Sequence, residues 1–161
     1  MKVIVDTNVP IVANQQSPQA SPECVIACVR RLRQVQERDI LVLDDGWHIL
    51  REYMANLRSS GQPGVGDAFL KWVLTHQANP RHCEQVTITV SDEGGFAEFP
   101  NDASLASFDR SDHKFVAVAM SHPERPPILN AVDRDWWHYK QALERHGIIV
   151  EHLCPDTMAL E

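Results

Sequence analysis

The chain has 161 residues, 43% hydrophobic and 23% charged, with 15 Lys plus Arg against 22 Asp plus Glu and a formal net charge of −7. That length fits one domain, expected over residues 1–155 with a short tail at 156–161, and roughly 70% of the unfolded surface is buried at this size, so neither a structural metal nor disulfides are needed. The composition excludes a disordered chain, and the acidic balance excludes a surface that is basic all over. Nucleic acid stays open as a partner, because a cluster of metal-binding carboxylates raises the acidic count by itself.

Lys2-Val3-Ile4-Val5 reads as a buried strand ending at Asp6. Asn14 to Pro22 is a polar, proline-containing loop. Ser21-Pro22-Glu23 then opens a helix with a capping hydroxyl, proline at the first helical position and an acid in the first turn. Ile40 to Leu43 is a second strand, ending at Asp44-Asp45, and a helix follows from about Trp47 to Leu57. After the break at 59–66, Asp67 to Ala78 is helical. Val86 to Val90 is read as the third strand, ending near Asp92, with a loop over Gly94 to Asp102. Ser111-Asp112 opens the helix HKFVAVAM. Ile128 to Val132 is the fourth strand, ending at Asp133; Trp136 to Arg145 is a helix stopped by Gly147; Ile148 to Val150 is the fifth strand. Alternation of apolar strands with helices predicts an α/β fold: a three-layer α/β/α sandwich around a mainly parallel five-stranded sheet.

The four cysteines, Cys24, Cys28, Cys83 and Cys154, form no Cys-x-x-Cys pair. They read as small apolar residues packing a core, with Cys24 and Cys28 on one helix face. No apolar run approaches the roughly 20 residues of a membrane span, and the run after Lys2 stops at Asp6, short of a signal-peptide core. A reduced, cytoplasmic protein with no membrane partner is the expectation. The eight histidines show no metal-ligand spacing, and the Gly61–Gly66 stretch follows a helix rather than a strand, so no phosphate-binding loop is read there.

Acids recur where strands end: Asp6, Asp44 with Asp45, Asp92 and Asp133. One such acid is ordinary punctuation. Several on one rim of a parallel sheet lie where ligands bind in open α/β folds, and converging carboxylates suit the hard cations Mg²⁺ or Mn²⁺. Glu52 lies off the apolar stripe of its helix, and Asp112 heads another.

These residues carry a family resemblance. Val3-Ile4-Val5-Asp6-Thr7-Asn8 resembles the opening of a PIN-domain nuclease. Asp112 followed by His113 to Ala119 is similar to that family's third acidic motif. Ile128 to Trp136, with Asp133 and Asp135, resembles the fourth, and Glu52 falls where the family places a helical glutamate. The resemblance implies a PIN-like fold and a metal-dependent endoribonuclease releasing 5′-phosphate ends. Asp6, Glu52, Asp112 and Asp133 would be the catalytic, metal-binding acids. Thr7 and Asn8 would orient the Asp6 side, with Asp135 a second candidate for Asp133's role and Asp109 for Asp112's. One departure stands out: Ala131 occupies the position, two before the fourth acid, where the family usually carries Thr or Ser.

The expected partner is RNA, single-stranded or structured. Arg30, Arg31, Arg58 and Arg110 are candidate phosphate contacts, with Arg33 and Arg38 nearby, and Trp137 is a candidate base-stacking surface; Trp136 reads as core. Stand-alone domains of this family are often toxins, which would add an antitoxin protein, and a homodimer is a further expected assembly. Two readings compete: a catalytically weak PIN-like module that binds RNA or protein, which Ala131 and the net charge favour, and a phosphoacceptor signalling domain. The latter wants paired acids after the first strand and a lysine after the last, and neither is present.

Overall fold

A computed structural model describes residues 1–158. Five strands, β1 (Lys2–Val5), β2 (Ile40–Asp44), β3 (Cys83–Val86), β4 (Ile128–Asn130) and β5 (Val150–His152), form one sheet in the order β3-β2-β1-β4-β5. All neighbours pair in parallel. Val3, Ile4 and Val5 on the central strand are fully buried, as required when helices cover both faces; each such side chain contributes about 1.5–3 kcal/mol. The α/β sandwich expected from the strand–helix alternation is the architecture observed.

The helices are α1 (Asn8–Ala13), α2 (Pro22–Glu37), α3 (His48–Asn56), α4 (Val65–His76), α5 (His113–Ser121), α6 (Asp135–His138), α7 (Lys140–Glu144) and α8 (Pro155–Met158). Helices α1, α2 and α4 pack on one another, and α5 packs on β1, β2 and β4. The approach of α4 to α1 depends on Gly66: a Cβ there would lie 2.0 Å from the Pro10 carbonyl oxygen. No helix among the described residues is long and apolar enough to cross a membrane.

The sheet order reverses between β1 and β4. After β1 the chain moves outward through β2 to β3, then returns to build β4 on the other side of β1. Such a switch point opens a crevice beyond the carboxyl ends of the two strands. Asp6 follows β1 and Asp133 lies three residues past β4. The backbone N–H of Asp6 still pairs with the Leu129 carbonyl at 3.1 Å, which fixes it against β4.

The residues after Asp6 form α1, in which Pro10 falls in a first turn where its missing N–H costs nothing. Several sequence expectations are corrected. The third strand is Cys83–Val86 rather than Val86–Val90. The alternation of Thr87-Ile88-Thr89-Val90 mimics a strand, but pairing with β2 at Leu41↔Cys83 sets the register, and at a sheet edge polar residues such as Glu84 and Gln85 are tolerated. Val90 makes only an isolated antiparallel bridge with Phe96. The fourth strand stops at Asn130, where side-chain bonds capture the chain. The fifth is Val150–His152, with Ile148 buried in the turn before it. The helix expected over Trp136 to Arg145 breaks at Tyr139 into α6 and α7. Part of the expected tail is α8, with Met158 buried; residues 159–161 lie outside the described residues.

Cys24 and Cys154 are joined by a disulfide across 130 positions, which corrects the reading of all four cysteines as free thiols; Cys28 and Cys83 are free and buried. Arg31 is also corrected as a phosphate contact. It is 8% exposed, and its guanidinium holds Asp39 at 2.6 Å, beside the start of β2 at the opposite end of the sheet.

Candidate metal centre

Three carboxylates converge at the switch point. Asp6, Asp112 and Asp133 each present an oxygen, and these lie within 4.8 Å of one another. Each arrives from a different element. Asp6 follows β1; Asp112 closes a 3₁₀ turn (Arg110–Asp112) before α5; Asp133 follows β4. Asp112 stands at the N-cap of α5, yet its carboxylate makes no capping bond. It is directed at the other acids instead.

Asp6 is held by its surroundings. Its Oδ1 accepts the Asn8 backbone N–H at 2.9 Å and the Asn8 amide at 2.8 Å, and its Oδ2 accepts the indole N–H of Trp136 at 2.8 Å. Asn8 also donates to Asn130 Oδ1 at 2.9 Å, while its own oxygen accepts the backbone N–H groups of Ala131 and Val132 at 2.7 and 3.3 Å. Asn130, fully buried, donates to the Asp133 carbonyl at 2.9 Å and accepts the Asp133 N–H at 3.2 Å. The two asparagines thus tie the end of β1 to the Asp133 turn. This explains why the chain turns out of the sheet at Ala131 although Ala131 and Val132 are apolar and buried.

Burial pushes Asp6 up to about 7, despite the bonds from Asn8 and Trp136, with the charges of Asp133 and Glu52 acting in the same direction. Asp112 is pushed up to about 9, first by burial and then by Asp6 and Asp133. Carboxylates this close do not all ionise without a positive charge among them. A cation at this point would displace the protons. The donor set is oxygen only, with no thiolate or imidazole, and so fits Mg²⁺ or Mn²⁺.

Glu52 stands beside this set rather than in it. Thr7 donates its hydroxyl proton to Glu52 Oε2, and the ammonium of Lys114 lies 2.7 Å from Oε1. Thr7 therefore serves Glu52, while Asn8 serves Asp6. Lys114 is a cation the sequence reading passed over, although it lies two residues from Asp112.

The other acids act elsewhere. Asp44 is 2% exposed and accepts the backbone N–H groups of His48 and Ile49, capping α3. Asp45 accepts from the Thr87 hydroxyl at 2.6 Å, and Asp92 is exposed in a loop. Asp109 accepts from the Ser111 N–H and hydroxyl, which hold it below the usual carboxylate range. Asp135 lies outside the converging set. The oxygen that caps α6 comes from Asp133, whose Oδ1 accepts the Asp135 N–H at 2.9 Å.

A cleft of about 540 Å³ adjoins the cluster, lined by Asn8, Gln19, Val132, Asp133, Arg134 and Thr157. Arg134 was missed as a cation on the cleft wall. Arg30, Arg58 and Arg110 are exposed, and Arg110 donates to the Glu93 carbonyl at 3.1 Å. Trp137 is 38% exposed, with the Lys140 ammonium 4.6 Å from its ring centroid. Trp136 is fully buried, and its bond to Asp6 was also missed; a buried indole N–H needs an acceptor, and an acid-rich rim offers one. No family model, curated protein or solved structure matches the chain.

Proposed function

We propose that this chain is a Mg²⁺- or Mn²⁺-dependent endoribonuclease acting in the cytoplasm. The observation that carries the reading is the convergence of Asp6, Asp112 and Asp133 within 4.8 Å at the β1/β4 switch point. A bound divalent cation supplies an activated water and relieves negative charge on a phosphodiester. The residues do the rest. Asn8 and Trp136 hold Asp6 in one orientation. Asp112 gives up its proton when a cation is taken. The Asn8–Asn130 pair holds the turn that bears Asp133, a role that no hydroxyl at position 131 fills here. Arg134 on the cleft wall and the exposed Arg110 offer positive charge for phosphates, and Trp137 a face for a base. RNA as substrate and 5′-phosphate ends follow the family resemblance, as do the toxin role, an antitoxin partner and a homodimer.

A second reading, a binding module that cleaves poorly, is favoured by Lys114. Its ammonium neutralises Glu52 and leaves three acids rather than four for a cation. One experiment separates the two. Labelled single-stranded RNA is incubated with the protein at pH 8 with millimolar Mn²⁺, with EDTA, and with Asp6→Asn and Asp112→Asn. Cleavage that needs Mn²⁺ and falls by orders of magnitude in both variants supports the nuclease. RNA retention without cleavage in any metal assigns the binding module.

A further inference from the structure

The disulfide joins two segments that each supply a residue to the lining of the cleft. Cys24 lies five residues after Gln19, and Cys154 three residues before Thr157; both Gln19 and Thr157 line the cleft. The segment after β5 is further bound to the asparagine hub. The Leu153 N–H donates to the Asn130 carbonyl at 2.8 Å, and the Asn130 amide lies 3.6 Å from the Met158 sulfur. A third sulfur sits against the bridge. Cys28, one turn along α2 from Cys24, is fully buried, and the sulfurs of Cys24, Cys28 and Cys154 all lie within 4.8 Å of one another. A structural disulfide needs no such neighbour.

We propose that Cys24, Cys28 and Cys154 form a thiol–disulfide exchange site that sets the position of the C-terminal wall of the cleft. Cys28, as thiolate, attacks the Cys154 sulfur; the Cys28–Cys154 bond forms as the Cys24–Cys154 bond breaks. The electron pair of the broken bond leaves on Cys24, which takes up the proton that Cys28 released. No oxidant or reductant is consumed, because one disulfide and one thiol are present before and after. Attack on Cys24 is disfavoured, since residues four apart on a helix hold their Cβ atoms about 5–6 Å apart, beyond the roughly 3.5–4.5 Å of a disulfide.

The movement needed is small. The Cys28 and Cys154 sulfurs are no more than 4.8 Å apart, and a disulfide bond is about 2 Å long, so the gap closes by at most about 3 Å. Cys28 is one turn nearer the end of α2 that leads to the start of β2, away from the rim that carries the acids. Displacement of Cys154 in that direction draws Thr157 from the cleft and Met158 from Asn130. Burial pushes the Cys28 thiol up to about 12, so thiolate is scarce and the two bridge isomers persist over minutes to hours. Disulfides that occur in cytosolic proteins are usually transient or redox-sensing, which fits a bridge with a resident resolving thiol.

The bearing of this exchange on RNA cleavage rests on the function proposed above; the exchange itself does not, and the test reads the bridges directly. The full chain is equilibrated in a glutathione buffer, quenched in acid, alkylated and digested, and the bridged peptides are mapped by mass spectrometry. Wild type is expected to yield Cys24–Cys154 with a second population of Cys28–Cys154. Cys28→Ser yields only Cys24–Cys154. Cys24→Ser forms Cys28–Cys154 in most molecules, with the Thr157 amide exchanging hydrogen at least about tenfold faster than in Cys28→Ser. Cys24→Ser that folds but leaves both thiols free to alkylate overturns the proposal. Should Cys24→Ser fail to fold, prolonged incubation of wild type that yields only Cys24–Cys154 overturns it equally.

Discussion

The indole nitrogen of Trp136 donates a 2.8 Å hydrogen bond to Asp6 Oδ2, joining residues 130 positions apart at the centre of the acid cluster. With Asn8 on the other oxygen, it opposes the effect of burial on the Asp6 carboxyl. Trp136→Phe keeps an aromatic ring and removes the donor, so Asp6 should titrate above its present value of about 7. The loss in folding stability should reach about 1.5–3 kcal/mol at pH 8, where Asp6 is ionised, the range for a hydrogen bond to a charged group. It should be smaller at pH 5.5, where Asp6 is protonated. Urea unfolding at the two pH values checks this; an equal loss at both would mean that only packing was disturbed.

Stability of the metal-free protein should fall with rising pH. Asp6 and Asp112 bind protons more tightly folded than unfolded, with folded values of about 7 and about 9 against 3.8. Between the ordinary carboxylate value and those values, the folded chain carries more protons, so unfolding becomes easier as pH rises through that window. Melting temperatures at pH 5.5, 7 and 8.5 in EDTA should decrease in that order. Millimolar Mn²⁺ should reduce the slope, because a cation takes the place of the protons.

Asp133 caps α6 and, in the function proposed above, is also a metal ligand; Asp135 takes neither part. Asp133→Asn should lower metal-dependent cleavage by orders of magnitude while the melting temperature holds, since asparagine still accepts the Asp135 N–H. Asp133→Ala should lose about 1 kcal/mol of stability in addition. Asp135→Asn and Asp135→Ala should be mild in both assays. Parallel thermal melts and cleavage rates decide it; a loss of activity in Asp135→Asn alone would move the ligand role to Asp135.

Arg31→Met should destabilise the fold by up to about 3–5 kcal/mol, the cost of breaking a buried ion pair, because only the Met1 ammonium, at 3.7 Å, is left on the partner. That partner is Asp39, whose side chain is 3% exposed. RNA affinity of the folded variant should be unchanged, because this pair lies at the sheet end remote from the acids. Arg134→Ala should instead weaken RNA binding and flatten its salt dependence with little change in stability. Denaturant titration and fluorescence anisotropy separate the two arginines.

The sequence alone determined the strand–helix alternation, the acid that follows the first strand and the buried strand at Lys2–Val5. These are local properties: apolar runs of strand length, caps such as Ser21 and breaks such as Gly61–Gly66 act within a few residues. The edge strands were misplaced because Cys83–Val86 and Val150–His152 are specified by the strands beside them rather than by their own apolarity. Periodicity within the chain carries no record of a neighbour's register. The same limit applied to the acids. Asp6, Asp44, Asp92 and Asp133 look alike in sequence, each an acid at or near the end of an apolar run. Only the tertiary structure assigned Asp44 to a helix cap, left Asp92 in solvent, and brought Asp6 and Asp133 together with Asp112. The reason is that convergence follows from the β1/β4 switch point, a relation between strands more than 120 residues apart. The Trp136–Asp6 bond, the Lys114–Glu52 pair and the Cys24–Cys154 bridge arise in the same way, from groups that meet only once the sheet has formed.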